Sequence, residues 1–133
     1  NKGAYMLHTL RQLIEDDEKW RHILRSLNKT FYHQTVTTKQ IEDFLSKETG
    51  IDLTEFFNQY LRDVRIPTLE YEIKDNKLHY RYTEIIDGFD MPILIEIDED
   101  LKWLYPKANW QTRPIKSDNI KIDPNFLVYS KKL

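Results

Sequence analysis

Asp52-Leu53-Thr54-Glu55-Phe56-Phe57-Asn58-Gln59-Tyr60-Leu61-Arg62-Asp63-Val64-Arg65-Ile66-Pro67-Thr68-Leu69-Glu70-Tyr71-Glu72-Ile73 is where the chain changes period. Up to about residue 63 the apolar residues keep helical spacing, with Leu53, Phe56, Phe57, Tyr60 and Leu61 on one stripe. After Pro67, Leu69, Tyr71 and Ile73 alternate with Thr68, Glu70, Glu72 and Lys74, the period of a strand with one buried face. The switch near Arg65-Ile66-Pro67 predicts an α+β chain by segregation. A helical, antiparallel segment is expected over residues 1–65 and a small antiparallel, Ig-like β-sandwich over residues 66–133.

Upstream of the switch, Ala4, Leu7, Leu10 and Ile14 make one stripe, and Tyr5, Met6 and Leu13 widen it until most of the first helix is apolar. Such a helix is expected to be buried on several sides. Asp16 or Asp17 can cap a second helix carrying Trp20, Ile23, Leu24, Leu27 and Phe31. Thr37 and Gln40 have capping-box spacing for a third, with Ile41, Phe44 and Leu45, which Gly50 then stops. Asp52 and Glu55 repeat that spacing for a fourth. Short connections favour antiparallel neighbours.

Downstream, the Asp75-Asn76 turn leads into Leu78, Tyr80 and Tyr82 alternating with His79, Arg81 and Thr83, which predicts a hairpin. Ile93, Ile95 and Ile97 supply a third strand. Segments around Trp103, Trp110, Ile120 to Ile122 and Phe126 to Tyr129 supply others, separated by Asp87-Gly88, Asp98-Glu99-Asp100 and proline-containing turns.

The 133 residues are 40% hydrophobic and 13% aromatic with only three glycines, enough to build a core and too apolar for disorder. A 32% charged content and a mean hydropathy of -0.67 argue for a soluble chain, and no apolar run approaches the roughly 20 residues that span a bilayer. Net charge is -2 with both signs interspersed, so no basic stripe offers itself to phosphates and nucleic acid is not an expected partner. Zero cysteine removes disulfides, thiolate zinc sites and cysteine nucleophiles together.

No residue of the sequence is expected to act as a catalytic group or a metal ligand. His8, His22, His33 and His79 include no pair at the i, i+4 spacing that a helical zinc site needs. Ser26, Ser46, Ser117 and Ser130 lie in no Gly-x-Ser-x-Gly elbow, and three isolated glycines make no phosphate loop. Glu15-Asp16-Asp17-Glu18 spans a helix junction and Asp98-Glu99-Asp100 a strand connection, where acidic residues are ordinary turn chemistry. Trp103, Tyr105 and Trp110 are expected to fill a core; an aromatic platform for a sugar or peptide is the alternative.

Lys2-Gly3-Ala4-Tyr5-Met6-Leu7 with Leu10-Arg11 resembles the Lys-Gly-Ala-x-x-Leu-x-x-Leu-Arg segment that follows the zinc site in aminopeptidase N-type metallopeptidases, the gluzincin aminopeptidases. The similarity continues in order. Asp17-Glu18-Lys19-Trp20 resembles that family's next helix start, and Thr35-Val36-Thr37-Thr38 its threonine-rich one. Asp52-Leu53-x-x-Phe56-Phe57-x-x-Tyr60-Leu61 resembles the last helix of the catalytic domain, with Tyr60 where many members carry Trp. Ile66-Pro67-x-Leu69-x-Tyr71 is similar to the passage into the β-sandwich domain, and Phe89-Asp90-Met91-Pro92 to the start of one of its strands.

The resemblance implies a parent that removes N-terminal residues from peptides. It would use zinc held by two His and a distant Glu, a Glu general base and a Gly-x-Met-Glu-Asn segment, none of which occurs in this sequence. The family's catalytic Tyr would fall immediately before Asn1 and is not carried over to Tyr5. Asn1-Lys2-Gly3 runs straight into a helix without an initiator Met, as a cut through a larger protein would. The fragment alone is therefore expected to be inactive and zinc-free; zinc, peptide substrate and an upstream catalytic domain belong to the parent. The outer face of the first helix is expected to pack on that domain or to self-associate. The alternative is a non-enzymatic helical plus Ig-like protein- or sugar-binding module.

Overall fold

The structure, a computed structural model, describes residues 2–133. Asn1, where the sequence reading sets the head of its first segment, lies outside the described residues. Four helices come first: α1 (Lys2–Ile14), α2 (Asp17–Thr30), α3 (Thr38–Thr49) and α4 (Thr54–Arg62). Seven strands follow: β1 (Thr68–Lys74), β2 (Lys77–Thr83), β3 (Ile93–Ile97), β4 (Asp100–Leu104), β5 (Gln111–Pro114), β6 (Ile120–Ile122) and β7 (Tyr129–Lys132). The chain is thus α+β, with the helices gathered ahead of the strands.

Local chemistry sets the helix ends. Asp16 sits extended at the start of α2 and accepts the Lys19 amide at 3.0 Å, satisfying one orphan donor of the first turn. Thr37 and Gln40 close a complete capping box on α3, Gln40 N to Thr37 Oγ1 at 3.2 Å and Thr37 N to Gln40 Oε1 at 2.8 Å. Gly50 ends that helix in the left-handed region at φ 73°. Asp52 departs from expectation: its carboxylate accepts both the amide and the hydroxyl of Thr54, so Leu53 takes the cap position of α4 without a side-chain bond. The short Asp52-to-Thr54 turn captures the carboxylate before a capping box can form.

Helix α1 packs against α2 and α4, and α3 against the same two. Met6, Thr9 and Leu10 are its buried residues, whereas Tyr5 and Leu7 remain 40% and 42% exposed. The expectation of a helix buried on several sides therefore fails in its first two turns.

The strands make two sheets, ordered β5-β2-β1-β7 and β4-β3-β6. β1 and β2 form the expected hairpin across Asp75-Asn76, both with positive φ, and β3 and β4 form another across Asp98-Glu99. Among the described residues all strand pairs are antiparallel but one: β7 runs parallel to β1, with Thr68 opposite Tyr129 and Tyr71 opposite Lys132. Alternation records which face of a strand is buried and says nothing of its neighbour's direction, so the mixed sheet was invisible to the period. Two boundaries also shift, because β5 begins after Trp110 and β7 after the buried Phe126.

One cluster of buried side chains runs through the helices and both sheets. Leu69, Tyr71, Leu78, Tyr80 and Tyr82 enter it from the first sheet, and Ile93, Ile95, Ile97, Leu104 and Ile120 from the second. Aromatic rings carry it from α4 into the strands: Phe56 to Tyr60 at 5.0 Å, Tyr60 to Phe89 at 6.0 Å and Phe89 to Tyr82 at 5.4 Å.

Candidate functional site

The joint between helices and strands gathers the most demanding polar chemistry of the molecule. Gln59 is fully buried on α4, yet all of its amide is used: Nε2 donates to Arg65 O at 3.1 Å and Glu84 O at 3.2 Å, and Oε1 accepts from Ile86 N at 2.7 Å. One side chain thus replaces three missing backbone partners where the chain leaves α4 and where β2 ends. Beside it the Tyr60 hydroxyl donates to Leu127 O at 2.7 Å, and the Tyr82 hydroxyl to Met91 O at 2.8 Å. Burial pushes both phenols well above the ordinary tyrosine range.

Helix α1 holds the other side of the joint. The Thr9 hydroxyl accepts from Leu127 N at 2.9 Å, His8 Nε2 meets Asn125 Oδ1 at 2.8 Å, and the Tyr5 hydroxyl donates to Pro124 O. Lys2 Nζ reaches Asp63 O at 2.8 Å, tying the head of α1 to the end of α4. Asp63 itself is held down to about 2, chiefly by its hydrogen bonds from the Arg65 side chain and amide.

A cleft of about 270 Å³ opens next to this joint, floored by Leu13, Phe56, Phe89 and Met91, with Asp52, Glu55 and Asp90 also lining it. Gly88 borders it at φ 86°, and a β-carbon there would lie 3.5 Å from the Glu55 side chain. The Asp52 carboxyl is held low by its bonds from Thr54. The lining includes neither His nor Ser, so the cleft offers apolar contact and negative charge without a nucleophile–base pair.

The remaining candidates are dispersed. His22 and His33 are exposed, His33 stacking on Tyr32, while His79 stands opposite Glu72 in the first sheet. Among the described residues no group of three or more His, Asp or Glu is placed to hold a metal ion. Ser46 accepts the Leu53 amide and Ser117 donates to Asn119 O, both local turn bonds. Asp17 pairs with Arg11 at 2.9 Å, and Asp98 accepts the amides of Lys116 and Ser117. Asp16, Asp17 and Asp98 of the acidic runs are thus engaged in a cap, an ion pair and a loop.

Trp103, Tyr105 and Trp110 do not share one environment. Trp103 packs edge-on to Phe126 at 5.8 Å at the margin of the core. Tyr105 is 60% exposed, and Trp110 lies outside with the Arg81 guanidinium 4.5 Å from its ring centroid. Core filling accounts for the first and not for the other two.

Gln59 was missed in the sequence, although a Gln between Phe57 and Tyr60 on an apolar stripe was a visible anomaly. No helix among the described residues is long and apolar enough to cross a membrane. No protein-family model matches the chain, and no curated protein matches it significantly.

Proposed function

We propose that this chain is the scaffold portion of a zinc-dependent aminopeptidase of the aminopeptidase N type. Residues 1–65 would complete the helical end of the catalytic domain, and residues 66–133 would form an Ig-like β-sandwich behind it. The observation that carries this reading is the joint itself. Gln59, Tyr60 and Thr9 lock α4, α1 and the strand connections into one unit, the rigid backing that a zinc site needs to hold its ligands in place. The two sheets, each with a face in the same buried cluster, support the sandwich.

On this reading the zinc, its ligands, the catalytic Tyr and the peptide-binding residues belong to the upstream part of the parent. That part rests on α1, whose Tyr5 and Leu7 stay at the surface. The 133-residue chain alone binds no stoichiometric zinc and cleaves nothing, and its interspersed charge gives nucleic acid no phosphate track.

The test is an assay of the purified chain on an aminoacyl-p-nitroanilide, with its zinc content measured in the same sample. No turnover and no zinc are expected; hydrolysis abolished by a chelator would overturn the scaffold assignment. The coding sequence upstream should specify His-Glu-x-x-His on a helix followed by a second Glu. A reading frame without it would transfer support to the non-enzymatic binding module, which draws on the exposed Trp110 and Tyr105.

A further inference from the structure

β5 is an edge of the first sheet and β4 an edge of the second. The register sets Arg113 of β5 opposite Leu78, and Lys102 of β4 opposite Ile95. Leu78 and Ile95 are wholly buried, so both cations stand on the inner faces of their strands. The residues two positions on, Ile115 and Leu104, are buried as well. Each edge therefore carries a cation where its period calls for an apolar side chain.

Lys102, Arg113 and Lys116 line one groove of about 640 Å³ together with Asn76 and Asp98. Asp98 is the carboxylate of that lining, and its oxygens accept Lys116 N at 3.1 Å and Ser117 N at 2.7 Å. Even counting it, the groove keeps two positive charges in excess. Arg113 Nε is buried and finds no hydrogen-bond acceptor among the described residues. A desolvated guanidinium N–H is a costly group to leave unpaired, and a planar fork of such donors fits an oxyanion.

We propose that this groove binds a doubly charged tetrahedral oxyanion of the phosphate class, with Arg113 as its directional donor and Lys102 and Lys116 supplying countercharge. The excess of two charges matches a phosphate dianion or a phosphate monoester. The site is independent of the peptidase reading, since it lies on the strand edges and uses none of the joint residues.

The experiment is an amide-resolved NMR titration of the full chain with inorganic phosphate and, in a second arm, glycerol phosphate, each against sodium chloride at matched ionic strength. Saturable shifts confined to the amides around Arg113, Lys116 and Ser117 are expected in at least one arm, with a rise in melting temperature. The arm that binds more tightly identifies the source of the phosphate. Arg113→Gln and Lys102→Gln should each weaken binding at least tenfold. Both side chains are half-buried, but only Arg113 has a desolvated, unpartnered N–H, so Lys102→Gln carries the test should Arg113→Gln lose its fold. Absence of saturation in both arms, or an unchanged affinity in Lys102→Gln, would overturn the proposal. Self-association of the variants regardless of phosphate, without any saturable binding, would show instead that the inward charges only guard two sheet edges.

Discussion

At the scale of single residues, Gln59 is the side chain on which the joint depends. Gln59→Leu keeps the volume but takes the partner from Arg65 O, Glu84 O and Ile86 N where they are partly buried. Leaving such a group unpaired costs about 1–3 kcal/mol, and partial exposure keeps each of the three near the low end, so a total loss of about 3 kcal/mol is expected, read as a lower urea midpoint with an unchanged slope. Tyr60 and Tyr82 give a second outcome, in alkali. Their phenols are neutral in the fold and pushed far up by burial, while in the unfolded chain they ionise near pH ~10. Their contribution is therefore complete below that value and lost as pH rises above it, by up to about 1.4 kcal/mol per tyrosine per pH unit. Urea midpoints measured upward from pH 9 should show this fall, and Tyr60→Phe should lessen its steepness. The residue scale is also where the sequence was least legible: Gln59, Lys102 and Arg113 are polar groups in apolar registers, and only tertiary neighbours tell why.

Elements were legible wherever their rule is local. Thr37 with Gln40, Gly50 and Asp75-Asn76 act through atoms within a few residues, and each does in the fold what its spacing implies. Asp52 failed because two local rules competed for one carboxylate and the nearer donor, Thr54, won. β7 failed for a different reason, since its partner lies some sixty residues back and the direction of pairing is fixed by the route of the chain past α1. The β3–β4 turn offers an element-scale prediction. Glu99 holds φ 69° at a hairpin position that suits glycine, where a side chain is strained by about 1–2 kcal/mol. Glycine gives back part of that relief as unfolded-state entropy, so Glu99→Gly should stabilise the chain by about 0.5–1 kcal/mol. A thermal melt with no gain, or a loss, would mean that the turn is not the strained I′ type its angles describe.

At the scale of the whole molecule, the surface of α1 is the feature the core leaves unexplained. Buried side chains run continuously from α4 into both sheets, yet Tyr5 and Leu7 stand out on α1, and Lys2 ties that helix to Asp63, beside the exposed Leu61 and the almost fully exposed Val64. Apolar groups gathered at one end of a folded chain favour association, and each buried leucine contributes about 1.5–3 kcal/mol to it. A pair of copies meeting there needs roughly 800 Å² on each partner to be stable, so the pairing should be weak and concentration-dependent. Sedimentation velocity is expected to show a weight-average mass rising above the 16.2 kDa monomer as concentration increases. Leu7→Lys should restore the monomer without shifting the melting temperature, because that side chain contributes little to the chain's own core. A strict monomer at millimolar concentration would remove the support that this face lends to a docked catalytic domain; association that persists in Leu7→Lys would place the contact elsewhere, on the strand edges that Lys102 and Arg113 face inward.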